Sequence, residues 1–275
     1  MRSLAVLALA LVSSCTQTSP IAITSIASVP RALAIPARAS SSLRVMSYNL
    51  NFGIAGDLRG IAAIAQANPE IVLLQESNDT WEAALVGGLA GFPHHRFAAP
   101  RDWPAGGMGV MSRYPIRSIE ELPPATGGLF FAWRIVIDVP SGPIQLLNVH
   151  LRPPRSDGGS WVVGYFSTRS DREAELEAHA SRLEPKLPTI IAGDFNEEGD
   201  GRAIAVATRH GFTDAIAQYR GATRTWEWPV GRFTLRFQLD HVMYDPGFVA
   251  VAAGIVEAGA SDHKAVWADL ERVVD

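Results

Sequence analysis

The segment T-I-I-A-G-D-F-N at residues 189–196 ends an apolar run with two oxygen-bearing side chains. Residues 190–192 have the apolar, partly β-branched composition of a buried strand. On an extended backbone, residues two apart point the same way. The spacing therefore predicts that Asp194 and Asn196 present two oxygen ligands to one spot, while Phe195 points into the core. A polar turn that closes the strand is the alternative.

Other apolar segments end in the same manner, with a carboxylate, an amide or an imidazole. The residues at these ends are Asn49, Glu76, His150, Asp240 and the pair Asp262-His263. Taken singly, each is an ordinary turn, cap or ion-pair residue. Their repetition at five or six strand ends indicates a site, because loops at one edge of a scaffold are where sites are built.

The elements that must position these residues alternate between strands and helices. Apolar runs predict strands over residues 43–50, 71–75, 109–112, 130–139, 144–149, 189–192, 238–244, 248–257 and 264–270. Helical periodicity and caps predict helices over residues 57–67, from Asp79 as N-cap to about 89, 171–183 and 202–209. Residues 140–143 predict a hairpin turn, and residues 152–168 and 224–232 are interpreted as loops. This order favours a mixed α/β sandwich.

The first 15 residues have the pattern of an export signal. Arg2 precedes a short apolar run over residues 4–12, and Ser13-Ser14 lead to Cys15, the only cysteine among the 275 residues. The segment resembles a bacterial lipobox, which predicts lipidation of Cys15 and a cell-envelope lipoprotein on the periplasmic or surface side. An ordinary secretory signal with an incidental cysteine, and hence a secreted protein, is the alternative.

Composition divides the rest of the chain into a tether and one domain. Residues 16–42 are rich in Ser, Thr, Ala and Pro, contain no acidic residue and are predicted to be disordered. The domain, residues 43–275, holds 21 Lys and Arg against 28 Asp and Glu, so it lacks the globally basic surface of a duplex-DNA binder. Because it has no cysteine, any metal must sit on oxygens and imidazoles.

Seven motifs occur in an order that resembles the endonuclease/exonuclease/phosphatase superfamily. They are S-Y-N-L-N at 47–51, L-Q-E at 74–76, G-V-M-S-R-Y-P-I at 109–116, N-V-H-L at 148–151, G-D-F-N at 193–196, L-D-H-V at 239–242 and S-D-H at 261–263. The resemblance covers about residues 43–271. It implies an α/β fold of the DNase I-like kind, a four-layer sandwich of two packed mixed β-sheets flanked by helices.

The resemblance also implies a metal and its ligands. Members of this superfamily hydrolyse phosphate esters with Mg²⁺ (or Mn²⁺), which favours hard oxygen ligands. Glu76 matches the principal metal ligand, Asn49 assists directly or through water, and Asp262 matches a second acidic group near the metal.

The remaining motif residues match the catalytic groups. His263 matches the base that activates water, or a group that orients the attack and contacts the phosphate, with Asp240 accepting its ring N–H. Asp194 matches the residue that aligns or deprotonates the water. Asn196 would bind a phosphate oxygen, and His150 would stabilise the phosphate or protonate the leaving oxygen.

The resulting expectation is an exported, metal-dependent phosphoesterase, anchored to a membrane through Cys15 and monomeric. Its substrate is a phosphate ester, with nucleic acid, a lipid headgroup and a small molecule left open. Trp and Arg residues in the two loops could stack on a base or a lipid headgroup, or pack beneath the loops. A catalytically inactive binding module and a structural envelope lipoprotein are the alternatives.

Overall fold

The computed structural model of the protein describes residues 35, 41–125, 127–155, 158–221, 223–230 and 232–273. The strands are β1 (Leu43–Asn49), β2 (Ile71–Gln75), β3 (His94–Ala98), β4 (Met108–Ser112), β5 (Ile116–Leu122), β6 (Ala132–Val139), β7 (Gly142–His150), β8 (Thr189–Asp194), β9 (Thr213–Asp214), β10 (Trp226–Val230), β11 (Phe233–Phe237), β12 (Asp240–Tyr244), β13 (Phe248–Val256) and β14 (Ala265–Arg272). The helices are α1 (Leu58–Ala67), α2 (Asp79–Gly88), α3 (Trp161–Ser167), α4 (Arg169–Ala180), α5 (Arg202–Arg209) and α6 (Ala215–Arg220), with short 3-10 turns at Phe52–Ile54 and Pro104–Gly106.

Two six-stranded mixed sheets form the sandwich, in the orders β13-β14-β1-β2-β4-β3 and β5-β6-β7-β8-β12-β9. Each sheet has one parallel pair at its centre, β1 with β2 and β7 with β8, and its other pairs are antiparallel. Because parallel strands end at the same edge, β1 and β2 deliver their carboxyl ends together, and so do β7 and β8. The antiparallel neighbours β14 and β12 begin at those same edges.

The side-chain alternation of the strands builds three apolar layers. Ile71 and Leu73 point between the sheets, whereas Val72 and Leu74 point outward to α1 and α2. On the second sheet Ile190 and Ala192 face the first sheet, and Ile191 packs outward with residues of α4 and α5. The predicted four-layer sandwich is therefore confirmed, with helices outside both sheets.

A polar bridge interrupts this apolar core and joins the two sheets. The Gln75 amide donates to Asn148 Oδ1 at 2.7 Å, and Asn148 donates to the carbonyls of Leu74 and Gly109 at 3.2 and 3.1 Å. Ser47 also lies within hydrogen-bond distance of Gln75, and all three polar side chains are fully buried. Buried amides that satisfy one another hold two surfaces in a single register, because sliding would leave them unpaired.

Several predicted elements differ from the structure in detail. Asn78, and not Asp79, caps α2, since its side chain accepts the Trp81 N–H at 2.9 Å. The two segments interpreted as loops contain regular structure, the helix α3 and the hairpin of β10 and β11. The edge strands β3 and β5 and the short α6 were not predicted from the sequence.

The predicted signal segment, Cys15 and nearly all of the tether lie outside the described residues. Export, lipidation and the proposed domain boundaries therefore stay predictions. None of the helices in the described parts of the chain is long and apolar enough to cross a membrane.

The bridge between the sheets generates a stability prediction. Asn148→Ala removes three hydrogen bonds and leaves the buried Gln75 amide without its acceptor, so we expect the free energy of unfolding to fall by about 2–4 kcal/mol. Urea unfolding followed by circular dichroism measures the change. Gln66→Ala, an exposed change on α1, is the control and should stay within about 0.5 kcal/mol of the unaltered protein. Equal stabilities of the two variants would contradict a structural role for the bridge.

Candidate active site

Strand register brings the predicted residues to one edge of the sandwich. His150 at the end of β7 pairs with Asp194 at the end of β8, and Asp194 pairs with Asp240 at the start of β12. On the other sheet Asn49 ends β1, and Glu76 directly follows β2. The two groups meet across the sheet interface, since Asn49 hydrogen-bonds Asp194 at 3.0 Å.

Asn49 lies between two carboxylates. Its buried amide nitrogen donates to Glu76 Oε1 at 3.1 Å as well as to Asp194 Oδ2, and its oxygen accepts the Asn51 N–H at 3.1 Å. Glu76 has a φ of 57°, a left-handed conformation that is costly for a residue with a side chain. Burial raises the pKa of the Glu76 carboxyl, although His263 opposes the shift. The chain thus bends sharply after β2 to hold a carboxyl in a poorly hydrated place.

His263 and Asp240 form a buried pair. His263 Nδ1 lies 2.9 Å from Asp240 Oδ2, as predicted, and Nε2 lies 3.6 Å from Asp194 Oδ2. Burial alone would lower the pKa of His263, but the carboxylates of Asp240 and Asp194 outweigh burial and raise that pKa to about 10. The ring is consequently a cation at neutral pH, and its Nε2–H faces the site.

Asp194 is the carboxylate that contacts most of the other groups. Oδ1 accepts the Asn196 N–H at 2.9 Å, and Oδ2 lies 3.6 Å from Nε2 of both His150 and His263. Burial raises the pKa of Asp194 to about 7, against the attraction of the His263 cation. A carboxyl that titrates near neutrality can take up and release a proton at physiological pH.

His150 is held as a neutral imidazole. The ring is buried and stacks on Phe130 with a centroid distance of 4.1 Å, and Nε2 also lies 4.0 Å from Glu76 Oε1. Burial first, and then the nearby charge of His263, lower the pKa of His150 to about 3. At neutral pH this side chain can therefore offer a hydrogen bond but carries no positive charge.

Asn196 lies close to Asp194, but not for the reason that the sequence suggested. The strand ends at Asp194, and Asn196 has a φ of 52°, so the alternation expected of an extended backbone does not reach it. Its amide donates to the Leu151 carbonyl at 2.9 Å and ties the two strand-end loops together. Phe195 does point into the core, where it is fully buried. The phosphate-binding role of Asn196 stays a prediction.

Asp262 accepts hydrogen bonds from two donors, and neither of them was assigned this role from the sequence. Asn51 Nδ2 donates to Oδ1 at 2.7 Å, and the Trp226 indole donates to Oδ2 at 2.9 Å. Asn51 stood in the first motif without a role. Asn51 follows the apolar residues of β1, and a polar residue at the end of such a segment is the signal that could have identified it. Trp226 stands in a polar segment that offers no such signal.

The base of the hairpin of β10 and β11 is hydrogen-bonded to the segments that carry Asp240 and Asp262. Thr225 Oγ1 accepts the backbone N–H groups of Leu239 and Asp240 at 2.9 and 3.0 Å, and the Thr225 carbonyl accepts the Lys264 N–H at 2.6 Å. The Glu227 N–H donates to the Asp262 carbonyl at 3.0 Å. One short segment thus positions the strands that carry Asp240 and His263. The sequence did not predict this, because residues 224–232 were interpreted as a loop.

His241 points away from the site, as expected from its place next to Asp240. Its ring contacts Asp214 at 2.7 Å and the Glu197 carbonyl at 2.9 Å, and it is fully buried. These contacts make His241 a satisfied core histidine.

The donor set fits a hard divalent cation. Carboxylates of Glu76, Asp194, Asp240 and Asp262 gather here, and Asp240 Oδ1 is buried without a hydrogen-bond partner among the described residues. Asp194, Asp240 and His263 bring one ligand atom each within 4.8 Å of one another. That trio would hold a metal only after His263 lost its proton, so the carboxylate of Glu76 is the better donor.

A sandwich of two mixed sheets with carboxylates and histidines gathered at its strand ends defines the DNase I-like class of fold. The sequence profile of the Endonuclease/Exonuclease/phosphatase family matches residues 46–263, and the chain belongs to this family. A comparison with curated protein sequences finds no match.

Solved structures share the fold at low sequence identity. An endonuclease/exonuclease/phosphatase from Beutenbergia cavernae is 23% identical with a TM-score of 0.66, covering 84% of this chain and 72% of its own. The human Nocturnin catalytic domain with bound sulfate is 18% identical with a TM-score of 0.65, covering 85% and 94%. D. rerio TDP2 with a single-strand DNA product is 14% identical with a TM-score of 0.65, covering 84% and 100%.

The charge state of His263 is open to direct measurement. In metal-free protein with ¹⁵N-labelled histidine, we expect the His263 ring to stay an imidazolium through neutral pH and to lose its proton near pH 10. Because this pKa lies above that of the unfolded chain, the interaction stabilises the fold fully below about pH 6.5, and the contribution disappears as the pH rises through about 10.

Asp240→Asn should lower the pKa of His263, because it removes the largest attraction on the cation. His150, the internal control, should stay neutral until the pH falls to about 3. A His263 ring that titrates at the ordinary histidine pKa would show that the pair is not charged in this way.

Proposed function

We propose that the protein is an exported, metal-dependent phosphoesterase that hydrolyses a phosphodiester by attack of an activated water molecule. The observation that carries the proposal is the meeting of Glu76, Asp194, His150 and the Asp240–His263 pair at one sheet edge, with ionisation shifted in different directions. Groups with such divided pKa values are typical of acid–base sites. Export is inferred from the leader sequence alone.

The metal would be Mg²⁺ or Mn²⁺, held by Glu76 with Asn49 and Asp262 assisting. When bound, it would withdraw negative charge from the phosphoryl oxygens and the leaving oxygen. In this structure the Asn49 amide oxygen accepts the Asn51 N–H, and Asp262 accepts from Asn51 and Trp226. These contacts hold the oxygen ligands in place before any cation arrives.

Asp194 is the better candidate for the base. A carboxyl with a pKa of about 7 can accept the proton of a water molecule, whereas His263 with a pKa of about 10 already carries its proton. His263 would then donate Nε2–H to a phosphoryl oxygen, and its positive charge would stabilise the charge that develops there. Of the two roles left open for His263 by the sequence, these charges support contact with the phosphate.

His150 would act as a neutral donor. With a pKa lowered to about 3, it cannot protonate the leaving oxygen as an imidazolium at neutral pH, but it can donate a hydrogen bond to the phosphate. Asn196 would add an amide donor beside it. The bound sulfate of Nocturnin and the DNA product of TDP2 support a phosphate ester as the ligand of this fold.

A metal requirement is the first consequence. EDTA should abolish hydrolysis of bis(p-nitrophenyl) phosphate, and Mg²⁺ or Mn²⁺ should restore it. Glu76→Gln should weaken the apparent metal affinity without unfolding the chain, because the amide keeps the shape and removes the charge. Glu177→Gln, an exposed change on α4, is the matched control. Undiminished turnover in chelator would refute the metal mechanism.

Substitution of His263 and Asp240 distinguishes an enzyme from an inactive binding module. His263→Ala should lower kcat by about 10²–10³ on the best substrate among plasmid DNA, RNA, a phosphodiester, a phosphomonoester and sphingomyelin, because it removes the donor to the phosphoryl oxygen. Asp240→Asn should lower kcat as well, and the double variant should be much less than additive, because the two residues act as a unit. Turnover is measured under conditions in which circular dichroism shows that each variant is folded.

His210→Ala, an exposed change just after α5, is the control for the loss of a histidine. Near-normal kcat in folded His263→Ala protein would mean that the motifs report only the fold.

A further inference from the structure

Exposed aromatic side chains surround the candidate active site. Six aromatic residues in the described parts of the chain are markedly exposed. Five of them lie in segments that border this edge: Phe52 in the first 3-10 turn, Trp103 just before the second, Phe166 on α3, and Trp228 and Phe233 on the hairpin of β10 and β11. The sixth, Tyr219, is on α6 and donates its hydroxyl to the Ala250 carbonyl. Clustered exposed apolar groups mark interaction surfaces, whereas scattered single ones need no explanation.

Phe52 contacts the site residue Glu76 directly, and Trp103 lies one side chain away from His150. The Phe52 N–H donates to Glu76 Oε2 at 3.3 Å, which places this residue at the mouth of the site. Trp103 lines a pocket together with Phe130, and Phe130 stacks on His150. Both aromatic residues therefore belong to the rim of the site.

The hairpin of β10 and β11 extends this rim outward. Its register pairs Trp226 with Phe237 and Trp228 with Leu235, so these side chains and Phe233 share one face. The series begins at the buried Trp226, which donates to Asp262, and ends at Phe233, whose surface is 79% exposed. The tip of the hairpin thus projects a large apolar side chain into solvent.

Helix α3 adds a second projection beside the hairpin. Tyr165 stacks on Phe237 at a centroid distance of 5.5 Å, which joins the helix to the same aromatic face. Val163 and Phe166 are three residues apart, hence on one side of the helix. Both are exposed, Phe166 to 67%.

Cationic side chains accompany these projections. Arg232 is exposed beside Phe233 at the hairpin tip, Arg224 is exposed at its base, and Arg155 is exposed in the segment before α3. Arg236 lies on the opposite face of the hairpin, where it pairs with Glu227. Trp and Phe next to Arg are typical of segments that settle into the interface of a membrane, where rings enter the headgroup boundary and guanidinium groups meet anionic lipid. Nucleic acid fits less well, because the exposed side of α3 includes the aliphatic Val163, which cannot stack on a base but can enter the apolar part of a lipid interface.

We propose that the rim formed by Phe52, Trp103, Phe166, Trp228 and Phe233 docks on a phospholipid surface that contains anionic lipid. Docking of this rim turns the mouth of the site toward the lipid headgroups. The substrate class that follows is the phosphoester of a membrane lipid, a step that rests on the proposed function, whereas the docking itself does not.

The test compares vesicle binding with turnover in solution. The full chain carrying Cys15→Ala, which removes any lipid anchor, is sedimented with phosphatidylcholine vesicles with and without phosphatidylglycerol. Phe166→Ser with Phe233→Ser should lower partitioning onto the mixed vesicles about ten-fold or more. The control pair Val249→Ser with Val273→Ser, which changes exposed apolar residues away from the rim, should leave it unchanged.

Turnover of soluble bis(p-nitrophenyl) phosphate separates the two proposals. The rim variant should retain it, while hydrolysis of vesicle lipid should fall with binding. If no variant hydrolyses any phosphoester, the proposed function fails and the docking result still stands. If the rim variant does not fold, quenching of tryptophan fluorescence by vesicles with brominated acyl chains tests the unaltered rim in the Cys15→Ala chain, and an absence of quenching counts against docking.

Three outcomes would overturn docking on lipid. One is that the rim variant and the control pair partition onto vesicles equally, or that the Cys15→Ala chain does not partition onto vesicles at all. Another is a rim variant that no longer binds a single-stranded oligonucleotide but still binds vesicles, which would make the rim a surface for nucleic acid. The third is a dimer in sedimentation equilibrium that the rim variant dissociates, which would make it an interface between two copies.

Discussion

The site depends on the buried amide bridge between the two sheets. Gln75 and Asn148 come from the central parallel pair of different sheets, and their hydrogen bond fixes how the sheets are aligned. Glu76 follows Gln75 directly, and His150 lies two residues beyond Asn148. The bridge therefore brings Glu76 Oε1 and His150 Nε2 to 4.0 Å although no strand pairing joins the two residues. A purely apolar interface would allow sliding, and the two halves of the site would separate.

The same alignment concentrates charge in a place that water reaches poorly. Glu76 and Asp194 lose hydration on folding, and the His263 cation compensates for only part of that loss, so the pKa of each carboxyl is raised. The left-handed backbone at Glu76 adds a further cost. These costs are tolerated because the apolar layers on both sides of each sheet stabilise the scaffold. A divalent cation bound at this edge would offset the remaining repulsion between the buried carboxylates. The same crowding of carboxylates thus costs stability and would provide the proposed metal site.

Apolar strands with polar ends predicted a mixed α/β sandwich and the set of residues at its edge, because the polar ends stand out against the buried strands. The four-layer arrangement was predicted by the resemblance of the ordered motifs to a known family. Prediction from the sequence failed for strands that are polar or contain residues that are unusual in strands. The edge strand β3 reads H-H-R-F-A, and β10 contains a proline, so neither resembles a core strand. The pointing rule for Asp194 and Asn196 failed because left-handed geometry at Asn196 has no local signal beyond the residue type. Long-range partners such as Thr225 and Asp240 are invisible without the fold.

The hairpin of β10 and β11 connects the candidate active site with the exposed rim. At its base Thr225 and Trp226 hold Asp240 and Asp262 through hydrogen bonds of 3.0 and 2.9 Å, and at its tip the side chain of Phe233 is exposed to solvent. Buried contacts stabilise the base, whereas the exposed Phe233 at the tip gains little from the core. A surface that bound the tip would restrain an element whose base is already hydrogen-bonded to Asp240 and Asp262. Recognition and positioning would then act through one continuous aromatic face, without any rearrangement of the sheets.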